Sequence, residues 1–215
     1  RVIMTTVIKL GGVNGSGKTT IAREVIKLAN ATPTRRALAS GKPTTVYIGE
    51  YSGLRVCVLG SYENACGGMD TISNKDDRFD LVKAVAQSKG CDIVFFEGLI
   101  TGKTYGALGE LSEQHVNKGK AVWLYAFMDT AFDECVARVL KRRLEAGNTA
   151  PFDPERTMRS TYRSCVSLLN KLTGGYVQRG APPMQHPTHV IKSTRKPATE
   201  ARKLLDRAVE MYHAR

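Results

Sequence analysis

Short apolar runs alternate along this chain with segments of helical period. Val2–Leu10 predicts a strand that ends in Gly11-Gly12, and Thr44–Ile48 predicts a second that ends at Gly49-Glu50. Leu54–Leu59 is a shorter β-rich run leading into a loop with Cys66-Gly67-Gly68-Met69-Asp70. Cys91–Phe96 and Ala121–Phe127 are continuous apolar runs, each preceded by helical sequence and a glycine, which suits parallel strands buried on both faces. His189–Lys192 predicts a last strand.

Between these runs the period changes. Ile21, Val25 and Leu28 share one face of a helix running to about Ala29. Phe79, Val82, Val85 and Ala86 do the same over Asp76–Ser88. Thr130–Ala146 and Thr199–Tyr212 predict two more helices. Asp153-Pro154-Glu155 opens another, with a cap, a proline in the first turn and an acid beside it; it runs to about Leu172 and stops at Gly174-Gly175. Alternating strands and helices predict a doubly wound, mostly parallel α/β sheet, built as a single domain over 1–215, with ligands beyond the carboxyl ends of the strands.

One strand-to-helix junction carries chemistry. Gly12-Val13-Asn14-Gly15-Ser16-Gly17-Lys18-Thr19 matches G-x-x-x-x-G-K-[ST], between a strand and a helix as that motif requires. The glycines let successive backbone N–H groups turn inward onto phosphates, and the helix N-terminus adds its positive end. Lys18 is placed for the β- and γ-phosphates and Thr19 for Mg²⁺, with Thr20 continuing the cradle. Asn74-Lys75-Asp76-Asp77 imitates the guanine-reading N-K-x-D. It comes before the Cys91–Phe96 strand and opens a helix, so it is read as a helix cap.

Phosphoryl transfer to an alcohol needs a metal organiser and a carboxylate to accept the hydroxyl proton. Glu97 follows the Cys91–Phe96 strand, where it is expected to hold Mg²⁺ or act as base. Asp70 follows two adjacent glycines, Gly67 and Gly68, that allow close approach to a ligand. Glu50 ends the second strand and is a third candidate; Asp70 is preferred as the base. Arg156, Arg159 and Arg163 fall within about 60° of one another on their helix. Arg138, Arg142 and Arg143 sit on the preceding one, across a loop with Gly147, Asn148 and Pro151. The pair is expected to form a lid over about 138–172, its arginines balancing charge on the phosphoryl group. Arg195 follows the last strand, in a late loop that often borders the adenine in P-loop kinases, an analogy that makes it a nucleotide-side candidate.

Charge extends the picture to the acceptor. Residues 1–135 hold 16 Lys/Arg against 14 Asp/Glu, whereas 136–215 hold 16 against 6, so nearly all of the net +12 lies in the last third. A basic surface of this size attracts polyanions. Five cysteines without a C-x-x-C pair predict reduced thiols, and His186 with His189 lacks the partners of a metal site. There is no run of 18 apolar residues and no signal pattern, which predicts a cytoplasmic protein. Arg1 is not a natural start, so Arg1–Ile3 is expected to be a remnant.

The chain resembles the P-loop kinases of the thymidylate kinase superfamily through Gly12–Thr19, Phe96-Glu97-Gly98 and the arginine helices. Leu59-Gly60-Ser61-Tyr62, Cys66-Gly67-Gly68-Met69-Asp70-Thr71-Ile72 and Phe95-Phe96-Glu97-Gly98-Leu99 carry a closer resemblance, to the phage 5-hydroxymethyluracil DNA kinases. It runs from about Val7 to Leu169. It implies a three-layer P-loop kinase fold with a helical, arginine-rich lid. It also implies ATP and Mg²⁺ as cofactors, a phage origin with action in the host cytoplasm, and transfer to the 5-hydroxymethyl group of the base within DNA. A base modified inside DNA must be exposed, and Tyr51, Tyr62 and Tyr105 are candidates to stack on it. A kinase for free nucleosides or nucleotides, and a nucleotide-dependent DNA-binding protein without an acceptor, are the alternatives.

Overall fold

The computed structural model describes residues 4–64, 67–98, 106–173 and 186–214. Among these residues seven strands form one sheet: β1 (Thr5–Gly11), β2 (Thr32–Ala37), β3 (Pro43–Tyr51), β4 (Leu54–Leu59), β5 (Ile93–Glu97), β6 (Ala121–Asp129) and β7 (Thr188–Lys192). Their order is β2-β3-β4-β5-β1-β6-β7. β4, β5, β1, β6 and β7 run parallel, while β2, β3 and β4 form an antiparallel extension. The helices are α1 (Lys18–Leu28), α2 (Lys75–Ala86), α3 (Gly106–Asn117), α4 (Phe132–Glu145), α5 (Ser160–Leu172) and α6 (Pro197–His213).

Two apolar layers explain the architecture. On one face of the sheet, Ile8, Leu10, Phe95 and Leu124 pack with residues of α1 and α6. On the other, Val7, Val94, Phe96 and Trp123 pack with residues of α2, α3 and α5. β1 lies between β5 and β6 and all seven of its residues are buried. Lys9 is buried among them, its ammonium 5.0 Å from the centre of the Tyr125 ring. Loss of hydration pushes its pKa down to about 7.

The predicted strands and helices recur with ends shifted by a few residues. Asn74 caps α2, its Oδ1 accepting from the Asp76 N–H at 2.8 Å, as the capping reading of Asn74–Asp77 expects. Asp153 Oδ1 accepts from the Arg156 N–H at 3.2 Å, but a wide π turn over Glu155–Arg159 comes before the regular helix α5. The expected stop at Gly174-Gly175 lies outside the described residues.

Two features depart from expectation. β2 has no counterpart among the predicted strands, because Thr32–Ala37 is exposed throughout and has no apolar alternation. The reading of uniformly reduced thiols is corrected as well: Cys57 on β4 and Cys91 just before β5 form a disulfide, with Cα atoms 6.0 Å apart. The two positions are 34 residues apart in sequence, and only the pairing of adjacent parallel strands brings them together. Cys135 and Cys165 are buried, and Cys66 lies outside the described residues.

Candidate active site

At the carboxyl ends of β1 and β5 the loop Gly12–Gly17 closes over the start of α1. Positive φ at Gly12, Gly15 and Gly17 gives the loop its inward curl. Gly15 has no room for a side chain, since a Cβ there would lie 2.3 Å from the Cys135 carbonyl oxygen on α4. Gly17 precedes α1 in the left-handed conformation, with no side-chain cap on the helix among the described residues. The first N–H groups of α1 are therefore left for an anion. Lys18 is buried and donates from Nζ to the Val13 carbonyl at 3.0 Å, which folds its ammonium back over the loop. The Thr130 hydroxyl donates to the Ser16 carbonyl at 3.0 Å, and the buried Ser16 hydroxyl has no hydrogen-bond partner among the described residues.

Glu97 ends β5 almost fully buried, and its Oε1 accepts from the Thr19 hydroxyl at 3.1 Å. Burial pushes its pKa up to about 7; Lys18 opposes the rise and Asp70 adds to it. Gly68 packs directly on Glu97, where a Cβ would lie 2.6 Å from both the carbonyl oxygen and Oε1. Gly60 leaves room for Gly68 in turn, because a Cβ on Gly60 would meet the Gly68 carbonyl at 2.3 Å. Ser61 and Gly68 bridge, with the Gly68 N–H donating to the Ser61 carbonyl at 2.8 Å. The Thr71 hydroxyl returns to the Gly68 carbonyl at 2.7 Å, and the side chain of Met69 is sunk in the core. The two segments around residues 60 and 68 thus brace each other, and a short 3-10 turn over Met69–Thr71 carries Asp70 to the cavity.

That cavity encloses about 730 Å³. It brings together Asn14 to Thr20 of the loop and α1, Gly67 and Asp70, Glu97, and Arg138, Arg142 and Arg195. Gly12 and Val13 border a smaller cavity of about 50 Å³ behind the loop. Arg138 donates to the Gly15 carbonyl at 3.3 Å and pairs with Glu134. Glu134 also accepts from Ser193 at 2.9 Å, which ties the Arg195 loop to α4.

Other sequence candidates stand elsewhere. Glu50 is exposed on β3, opposite Arg55 of β4. Tyr51 donates to Asp206 of α6 at 2.7 Å. Tyr62 is buried edge-on against Tyr47 and does not line the cavity. Burial, with the carboxylates of Glu97 and Asp70 nearby, holds its pKa well above the usual phenol value. Arg159 pairs with Glu155, and its guanidinium carbon lies 3.6 Å from the centre of the Phe132 ring. Arg156 and Arg163 are exposed and do not line the cavity. Tyr105 lies outside the described residues.

Sequence reasoning passed over Arg23. It lines the cavity from α1 and donates to the Tyr62 carbonyl at 3.3 Å and the Asn64 carbonyl at 2.6 Å. Its spacing of four from Thr19 puts both on one helix face, a signal that was present in the sequence. The buried Arg78 was passed over as well; it donates to the Ile72 carbonyl and fixes the far end of the Asp70 turn.

A phosphate loop at the switch point of a mostly parallel sheet, with carboxylates beside its lysine and arginines above it, defines a P-loop kinase. No family profile matches the chain. The chain is 30% identical over 140 residues to a 5-hmdU DNA kinase of Pseudomonas phage M6, covering 63% of this chain and 71% of that protein. It is 27% identical over 172 residues to the 5-hmdU DNA kinase of Pseudomonas phage PaMx11, covering 77% and 84%. Against the 5-hmdU DNA kinase of Delftia phage PhiW-14 it is 28% identical over 173 residues, covering 76% of this chain and 62% of that longer protein. Among solved structures, the Mycobacterium tuberculosis APS kinase CysC aligns with a TM-score of 0.48 at 16% identity, over 96% of this chain and 98% of that one. The chain belongs to the family of phage 5-hmdU DNA kinases.

Proposed function

We propose that this chain transfers the γ-phosphoryl group of ATP to the 5-hydroxymethyl oxygen of 5-hydroxymethyluracil in DNA, a step in phage thymidine hypermodification. One observation carries the reading: a single cavity joins the phosphate loop to Asp70 and Glu97, held there by the mutually braced segments around residues 60 and 68. The names of the phage relatives supply the acceptor. Asp70 accepts the proton as the hydroxymethyl oxygen bonds to the γ-phosphorus, and the bond from phosphorus to the β–γ bridging oxygen breaks to release ADP. Lys18 and the loop N–H groups stabilise charge on the phosphates, and Arg138 and Arg142 face them from above. Arg156, Arg159 and Arg163 join them if the loop after α4 closes. The excess charge of the last third favours a polymeric anion.

Thr19 and Glu97 suit a hard divalent cation, since two oxygen donors already converge at 3.1 Å beside the phosphate loop. Among the described residues no group of three or more His, Cys, Asp or Glu gathers. Mg²⁺ is commonly held by a few side chains together with substrate phosphates. When bound, Mg²⁺ neutralises charge across those phosphates.

The deciding experiment offers γ-labelled ATP and Mg²⁺ with hydroxymethyluracil DNA, ordinary DNA, and free nucleosides or nucleotides. Label is expected only on hydroxymethyluracil DNA. Label on free nucleotides alone would make this a small-molecule kinase. ATP consumption without label on any acceptor would make it a nucleotide-dependent binding protein. No described helix is long and apolar enough to cross a membrane.

A further inference from the structure

We propose that the edge strand β2, through Arg35 and Arg36, docks the sugar–phosphate backbone of the DNA substrate and leads it towards the catalytic cavity. This rests on the DNA-kinase reading and adds where the polymer lies. All six residues of β2 are exposed, so the strand contributes no buried side chain to the core. It pairs with β3 along one edge, and no other described strand pairs with its second edge.

Charge on an open edge discourages pairing with another chain, and Arg35 and Arg36 serve that purpose. Three observations go further. First, β2 is anchored. The buried Asp77 of α2 accepts from the Ser40 N–H at 3.0 Å and the Ser40 hydroxyl at 2.7 Å, which fixes the β2–β3 turn. Second, among the described residues no hydrogen bond or ion pair reaches either guanidinium, whereas Arg138 and Arg159 are paired with acids. Successive residues point to opposite faces of a strand, so the two guanidiniums flank that second edge from both sides.

Third, the strand adjoins the catalytic cavity. Pro33, Arg35, Pro43, Thr45 and Glu63 line a groove of about 380 Å³. Glu63 belongs to the segment Tyr62–Asn64, whose flanking carbonyls Arg23 holds from the cavity side. The segment Tyr62–Asn64 therefore touches the groove through Glu63 and the cavity through Arg23. A strand of DNA gripped along β2 crosses that segment to present a base beside Asp70. Glu63 repels phosphate at the segment itself and so leaves the grip to the arginines.

The test compares wild type with Arg35→Ala/Arg36→Ala and Arg35→Lys/Arg36→Lys on hydroxymethyluracil duplex DNA over a range of salt. Loss of two phosphate contacts is expected to raise KM for DNA about 10-fold at low salt and to flatten the log–log salt slope by about 1.8. The rate at saturating DNA and the affinity for ATP should hold, the double lysine variant should recover most of the KM, and Glu63→Gln should lower it. If wild type labels DNA and the double alanine variant shows the same KM and slope, the surface is overturned and the kinase reading stands. Loss of ATP affinity in step with DNA affinity also overturns it, by tracing the defect to the fold. If wild type labels no DNA, the kinase reading falls and this surface with it.

Discussion

The donor and acceptor sides of this cavity are built on different principles. The donor side is local: a strand, six residues of loop and a helix in immediate succession hold the phosphate cradle, and the fully buried strand β1 anchors it. The acceptor side is assembled at a distance. Asp70 depends on Gly60 and Gly68 packing on each other, on Gly68 packing on Glu97, and on Arg23 and Arg78 holding the two ends of the segment. A local device tolerates change elsewhere in the chain, whereas an assembled one adapts to a new acceptor by exchange of single braces. One phosphate-handling core can thereby serve many acceptors.

The comparison predicts that damage to the donor side has the largest effect. Lys18→Ala should lower the rate of transfer by about 10³-fold or more, some 4 kcal/mol of transition-state stabilisation. DNA binding should stay within about two-fold, because the phosphate contacts of the polymer lie elsewhere. Single-turnover transfer and DNA retention on a filter measure the two separately. Equal loss of both would show that donor and polymer share one surface.

Asp70→Asn should come next, with a loss of about 10²-fold in rate, near 3 kcal/mol, and little change in ATP affinity. Asparagine keeps the shape of the turn but accepts no proton. An unchanged rate would transfer the base to Glu97, which is already in the cavity, or to Glu50, which stands away from it on β3.

The same division decides what was legible in the sequence. The phosphate loop, the order of strands and helices, and the cap at Asn74 are local patterns, and each is written within a few successive residues. Glu97 was readable because it ends an apolar run. The braces of the acceptor side were not, since Gly60 against Gly68 and Cys57 against Cys91 are set by strand pairing. β2 escaped for a physical reason as well. An edge strand that buries nothing has no need of alternating apolar residues, and Thr-Pro-Thr-Arg-Arg-Ala has none. Arginine spacing on a helix gave the face but not its target. Arg143 donates to Asn148 and Ala150 and lies against Phe152, so it secures the loop after α4 instead of facing phosphate.

The smallest predicted effects lie among these arginines, and they separate two states of the donor side. Arg142 lines the cavity from α4, whereas Arg156 and Arg163 are exposed on the segment beyond the loop. A guanidinium facing the phosphates stabilises transition-state charge directly, so Arg142→Ala should lower the rate about 10-fold. Arg163→Ala should lower it by less than about 3-fold, since a charge held in solvent contributes little. Arg159 is a poor probe because it braces Glu155 and Phe132, and its loss would mix packing with charge. The measurement is the rate at saturating ATP and DNA. If Arg163→Ala matched Arg142→Ala, the segment from Glu155 to Leu172 would have to swing over the phosphates during turnover, and the donor side would be completed by motion as well as by local sequence.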